Sequence, residues 1–153
     1  MAVRFAPSGE LFVGGTDRGW GARGGKRFGL ERVNWNGKTP FEICEMKAKP
    51  DGFELIFTLP ADVETLAKTE SYKMNSYDYI YQSGYGSPVV DKQDNVITKA
   101  VPSADGKSVR LYIDKMRKGK VHELHVDGIK SATGLPVLHP RAYYTLNEIP
   151  SGA

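Results

Sequence analysis

The stretch Pro50-Asp51-Gly52-Phe53-Glu54-Leu55-Ile56-Phe57-Thr58 places a turn directly before a run in which Phe53, Leu55 and Phe57 alternate with Glu54, Ile56 and Thr58. Side chains alternate sides along an extended chain, so Phe53, Leu55 and Phe57 share one face. An apolar face opposite a mixed one is the pattern of a strand half buried against a core. The turn and the change of register after it mark a boundary, giving residues 1–49 and residues 50–153 as two parts.

The same logic extends toward the C-terminus. Strands are expected over 72–83, 96–101, 108–114, 121–126 and 142–146. Ala104-Asp105-Gly106-Lys107 supplies a hairpin turn and Arg117-Lys118-Gly119-Lys120 a cationic one. Only residues 61–69 read as helix, with Asp62 placed to cap it. About seven short strands joined by regular turns imply an all-β, Ig-like antiparallel sandwich over residues 50–153. Upstream, Leu11-Phe12-Val13, residues 30–35 and residues 41–47 read as strands, with Asn36-Gly37 as a hairpin turn between the last two. Residues 1–49 would then form a small partial β-sheet containing a Gly-rich loop.

The chain has 153 residues, 40% hydrophobic and 25% charged, with 17 glycines and 9 prolines, enough apolar content for a core and many turns. A net charge of +3 does not by itself point to nucleic acid, which is therefore not an expected partner. The lone Cys44 excludes an internal disulfide and a cysteine-rich zinc site. No apolar run is long enough to span a bilayer.

Two stretches carry candidate binding residues. Gly14–Gly29 reads GGTDRGWGARGGKRFG. It lacks the GxxxxGK[ST] of a phosphate loop, because Arg27 follows Lys26. It reads as a connector whose glycines permit positive φ, as an RNA-stacking arm, or as a loop presenting Arg18, Trp20, Arg23 and Arg27 to a ligand. In the second stretch, Tyr77, Tyr79 and Tyr81 recur at period two and share a face. They serve core packing, a sugar platform or a protein interface. If the mostly polar opposite face meets solvent, the tyrosines must lie inside or in an interface. His122 and His125 point to opposite faces and do not chelate one metal together, so no metal site is assigned. Asp91 to Asn95 reads as a solvated turn, lacking the glycine and distal glutamate of a calcium loop. No motif supplies a catalytic residue.

Phe5, Pro7, Gly9, Leu11, Phe12, Val13 and Gly14 fit the blade motif F-x-P-x-G-x-L-[FY]-V-G. The following sequence through the Asp105-Gly106-Lys107-Ser108 strand start and the Gly134-Leu135-Pro136 loop continues the likeness. The chain thus resembles the C-terminal segment, last propeller blade plus Ig-like sandwich, of glucose/sorbosone-dehydrogenase-like secreted propeller proteins of planctomycetes, verrucomicrobia and Bacteroidetes. The resemblance implies a periplasmic or extracellular, non-catalytic accessory module contacting carbohydrate. Its partners would be the rest of a β-propeller or another copy of itself, and a polysaccharide. It implies no cofactor in this chain and pyrroloquinoline quinone in the intact parent. Two alternatives stand beside it: a free-standing carbohydrate-binding module using Tyr77, Tyr79, Tyr81 and Trp20, and part of a quinone-dependent sugar oxidoreductase site.

Overall fold

The computed structural model describes residues 2–17 and 26–152. The protein is all-β: strands make up 51% and helix 5%, in three antiparallel sheets. The chain divides into two compact units, Met1–Lys38 and Thr39–Ala153.

In the smaller unit, β1 (Ala2–Phe5), β2 (Leu11–Thr16) and β3 (Phe28–Val33) form a sheet in the order β1-β2-β3. Gly9 turns the chain between β1 and β2 at φ +95°, where glycine alone is unstrained. None of the described residues of these strands is buried.

The larger unit is a sandwich of two four-stranded sheets. One sheet holds β4 (Ile43–Lys49), β5 (Gly52–Phe57), β8 (Ile97–Pro102) and β9 (Ser108–Ile113) in the order β4-β5-β9-β8. The other holds β6 (Tyr72–Tyr79), β7 (Val89–Asn95), β10 (Lys120–Val126) and β11 (Arg141–Leu146) in the order β11-β10-β6-β7. Phe53, Leu55, Phe57, Val109, Leu111 and Ile113 from the first sheet meet Tyr72, Met74, Leu124 and Val126 from the second in one buried cluster. Phe53 reaches across, its ring centroid 5.3 Å from that of His122 and 5.4 Å from that of Tyr144. Fully burying each such Leu or Phe contributes roughly 1.5–3 kcal/mol. A one-turn helix, α1 (Val63–Leu66), begins at Asp62, whose Oδ1 accepts from the Glu64 and Thr65 amides at 2.8 and 3.3 Å, and seats the buried Leu66.

Three expectations are corrected. Pro50-Asp51 is no boundary: Lys49 pairs with Gly52, so the turn is a two-residue hairpin joining β4 to β5, and the break falls after Lys38. Gly52 is needed there because a side-chain carbon would overlap the Leu111 carbonyl of β9. Asn36-Gly37 turns the chain, with Gly37 at φ +79°, but joins no hairpin, since β3 pairs with β2 and β4 with β5. Asp91 to Asn95 is strand rather than turn, forming the edge of its sheet against β6.

Candidate functional site

The register of β10 with β11 and β6 assigns the faces. His122 lies opposite Ser76 and Tyr144, and it is fully buried against Phe53. That row faces the core. The neighbouring rows therefore face outward: Tyr143, Glu123 and Asn75; then Thr145, Val121 and Tyr77; on the other side, Arg141, His125 and Lys73. Tyr77 projects outward, yet only 5% of it is exposed, while Tyr79 is 47% and Tyr143 55% exposed. Tyr77 and Tyr79 meet edge to face, ring centroids 5.4 Å apart at 87°. Their hydroxyls are 3.4 Å apart, Tyr79 donating. That bond, then burial, then the charges of Tyr79 and of the nearby Glu123 push the Tyr77 phenol up to about 12. Glu123 accepts from the Tyr143 hydroxyl at 3.4 Å and pairs with Arg141 at 3.6 Å. The result is a covered aromatic centre, two exposed tyrosines and a rim of both charge signs.

The condition that the polar face meets solvent, on which the inside placement of the tyrosines rested, does not hold. The polar side of β6 faces inward, where Ser76 is wholly buried, and the tyrosines face out. What makes the inward polar side tolerable is Arg117, from the loop before β10. One of its guanidinium nitrogens donates to the Ser76 carbonyl and hydroxyl, each at 3.1 Å, and to the Asp91 carbonyl at 3.0 Å. The other pairs with the Asp91 carboxylate. Lys120 adds bonds to Asp78 at 2.8 Å and Asp91 at 3.2 Å. Hydrogen bonds from Lys120 hold both carboxyls below the usual carboxylate range, and they hold the Lys120 ammonium above its own. The ladder between β6 and β7 slips here, and Asp91 takes φ +52°. Arg117, Asp91 and Lys120 come from three separate segments, so no spacing motif announces them.

Of the remaining candidates, Tyr81 lies beyond the end of β6, fully exposed, so the face gathers two of the three tyrosines. Arg27 pairs with Asp17 at 3.1 Å, just outside the β2–β3 ladder. Arg18, Trp20 and Arg23 lie outside the described residues. The histidines are dispersed: His122 in the core, His125 on the outer face, and His139 against Glu42, its Nδ1 2.5 Å from a carboxylate oxygen. Among the described residues no group of three or more His, Cys, Asp or Glu is placed to hold a metal, and no helix is long and apolar enough to cross a membrane.

Fold and surface together define an antiparallel β-sandwich module with a tyrosine-centred outer face. Residues 55–137, more than half the chain, match Borealin, cell division cycle-associated protein 8. The chain belongs to the Borealin family. No curated protein matches it in sequence. Among solved structures it is similar to surface layer protein SbsC, domains 1–6, with a TM-score of 0.54 at 14% identity over 71% of this chain and 14% of that one. It is similar also to the N-terminal part of the bacterial S-layer protein SbsC, with a TM-score of 0.55 at 14% identity over 71% of this chain and 24% of that one. At such identity the likeness concerns the fold alone, and this chain spans a small part of either protein.

The family overturns the sugar-dehydrogenase resemblance and, with it, the reading as a secreted, carbohydrate-binding accessory module. The propeller and polysaccharide partners go too, as does the exclusion of nucleic acid, which rested on net charge. A family named for the cell-division cycle does not fit a periplasmic or extracellular place. The quinone in a parent protein was implied by that resemblance and loses its basis. The misleading residues, Pro7, Gly9, Gly106 and Gly134, belong to turns, and antiparallel sheets of many lineages use the same turn chemistry.

Proposed function

We propose that the sandwich is a non-catalytic protein-docking module of a cell-division assembly, engaging its partner through the outer face of the β11-β10-β6-β7 sheet. The observation that carries this is the covered Tyr77 with Tyr79 and Tyr143 exposed beside it on one rigid sheet. Tyrosine offers large amphipathic area at little entropic loss, and aromatic and Arg side chains dominate binding energy at interfaces. The rim, with Glu123, Arg141, His125 and Lys73, would set orientation more than affinity. The family's name supplies the setting, cell division.

The test is site-specific photocrosslinking in dividing cells, using benzoylphenylalanine at position 79 and, as control, at position 112 on the other sheet. The reading expects one discrete protein adduct from position 79, weakened by Tyr143→Ala and absent from position 112. Adducts of equal yield from both positions, or none from 79, would remove it.

A further inference from the structure

Asn36, Gly37 and Lys38 form an exposed turn at the end of the smaller unit. Asn36 Oδ1 accepts a hydrogen bond from the Lys38 amide at 3.0 Å. The Trp35 indole donates to the Lys38 carbonyl at 3.3 Å, so the turn is tied on both sides of Lys38. Gly37 takes φ +79°, and nothing lies within 4 Å of where a side-chain carbon would stand. Its own amide makes no hydrogen bond with a described residue. A second turn has the same frame without that freedom. In Asp105-Gly106-Lys107 the Asp105 Oδ1 accepts from the Lys107 amide, also at 3.0 Å. There the Gly106 amide is committed to the Ser103 carbonyl at 3.0 Å, and the side chain is a carboxylate, whose charge repels a nucleophile.

We infer that Asn36 is a site of self-modification, in which the Gly37 nitrogen closes on the Asn36 side chain to give a succinimide that water opens to aspartate or isoaspartate. A base from solvent takes the Gly37 amide proton. The nitrogen bonds to Asn36 Cγ, the Cγ–Nδ2 bond breaks, and the side-chain nitrogen gains a proton from water and leaves as ammonia. Water then adds to the ring: attack at the side-chain carbon gives aspartate, attack at the backbone carbon isoaspartate. One water is consumed, one ammonia is released, and nothing is oxidised or reduced. The Lys38 amide points at the oxygen on which negative charge develops, the placement that stabilises an oxyanion. Nucleophile and electrophile sit on adjacent residues, so no encounter is needed. Glycine leaves the nitrogen unshielded and takes the positive φ without strain. The product carries a new carboxylate beside Lys38 and, in the isoaspartyl form, one more backbone carbon just before the boundary between the units.

The site and the tyrosine face lie in different units, so either can fail alone. The test incubates the folded full chain in heavy-oxygen water at mildly alkaline pH and maps its peptides by mass. Isoaspartyl methyltransferase with labelled S-adenosylmethionine reports the isoaspartyl product. Heavy oxygen and methyl label are expected at position 36 well ahead of Asn34, Asn75, Asn95, Asn147 and the Asp105-Gly106 turn. Gly37→Ala should slow the reaction about ten-fold, because a side-chain carbon resists the left-handed backbone. Concentrated urea should slow it a few-fold, the worth of the Lys38 hydrogen bond. Asn36→Gln, which would have to close a larger ring, should lose the label. Conversion at 36 no faster than at the other asparagines, equal label at Asp105, or a rate that rises on unfolding overturns the assignment.

Discussion

The three-stranded sheet and the sandwich are both built from short alternating strands, yet only one has an inside. In β5 the burial alternates with the sequence: Phe53, Leu55 and Phe57 are covered while Glu54 and Ile56 are only partly so. In β3 every residue is exposed, including Phe28 at 79% and Leu30 at 75%. Apolar residues fall on both sides of the small sheet: Phe5, Leu11 and Val33 in one row, Phe12 flanked by Arg4 and Arg32 in the next. Three strands without a covered face sit at the margin of independent stability. Alternation therefore specifies pleated ribbon, while stability requires a second layer.

That contrast is broken most directly by truncating an aromatic in each unit. Phe53→Ala should destabilise by about 3–5 kcal/mol, because it removes a fully buried ring and leaves a cavity between the sheets. Phe28→Ala should stay within about 0.5 kcal/mol. Urea denaturation followed by far-ultraviolet circular dichroism measures both, and similar losses would mean that the small sheet has a core of its own.

Glycine sharpens the same comparison. At Gly52 an added carbon overlaps the Leu111 carbonyl, and in a central strand the backbone has nowhere to go, so Gly52→Ala should cost about 3 kcal/mol. At Gly37 the space is open and only the positive φ resists, so Gly37→Ala should cost about 1 kcal/mol. A smaller loss at 52 than at 37 would contradict the β5–β9 register.

Arg117→Met ranks next. The thioether keeps part of the volume but strands the Ser76 groups and the Asp91 carbonyl that the guanidinium satisfies. About 2 kcal/mol of stability should go, since partly buried polar groups lose their partner. Hydrogen exchange should quicken around Ser76 and Asp91 before it changes in β5. An unaltered exchange pattern would mean that water replaces the guanidinium without loss.

How much of this could be read beforehand follows from where the information sits. Phe53 to Phe57, the Asp62 cap and the paired orientation of Tyr77 and Tyr79 are local, set by backbone period and by side chains two or three residues apart. β7 was hidden because Asp91, Lys92, Gln93 and Asp94 are all exposed on an edge strand, with no hydrophobic alternation to reveal it. The outward placement of the tyrosines was hidden for another reason. Their sidedness depends on Arg117, some forty residues away in sequence, which makes the polar side of β6 fit to bury. The burial of Asn95 is likewise matched by a bond to the Lys115 carbonyl, a tertiary contact with no sequence signature.

The gentlest test is a pH slope rather than a step, and it too separates inside from outside. His122 is buried beside Phe53, and its Nε2 accepts from the Arg117 backbone amide at 3.4 Å. Burial lowers its pKa from the ordinary value, the Arg117 charge adds to that, and a backbone contact with Lys120 works the other way. The native state therefore prefers the neutral ring, whereas the unfolded chain takes up a proton near pH 6.5. Below that pH the unfolded state binds more protons than the native state, so stability should decline as pH falls from about 6.5 toward the folded pKa and then level off. The lowered carboxyls Asp78 and Asp91 carry the same sign of linkage but at lower pH, as their support is lost only when acid protonates them below about pH 4. Denaturation series between pH 5 and 7.5 thus lie above the range of these carboxyls, and substitution singles out the ring. His122→Gln should flatten the slope there even if it lowers stability throughout. A slope that His122→Gln leaves unchanged would mean that this ring is not held neutral in the core, and would undo the face assignment on which the tyrosine surface rests.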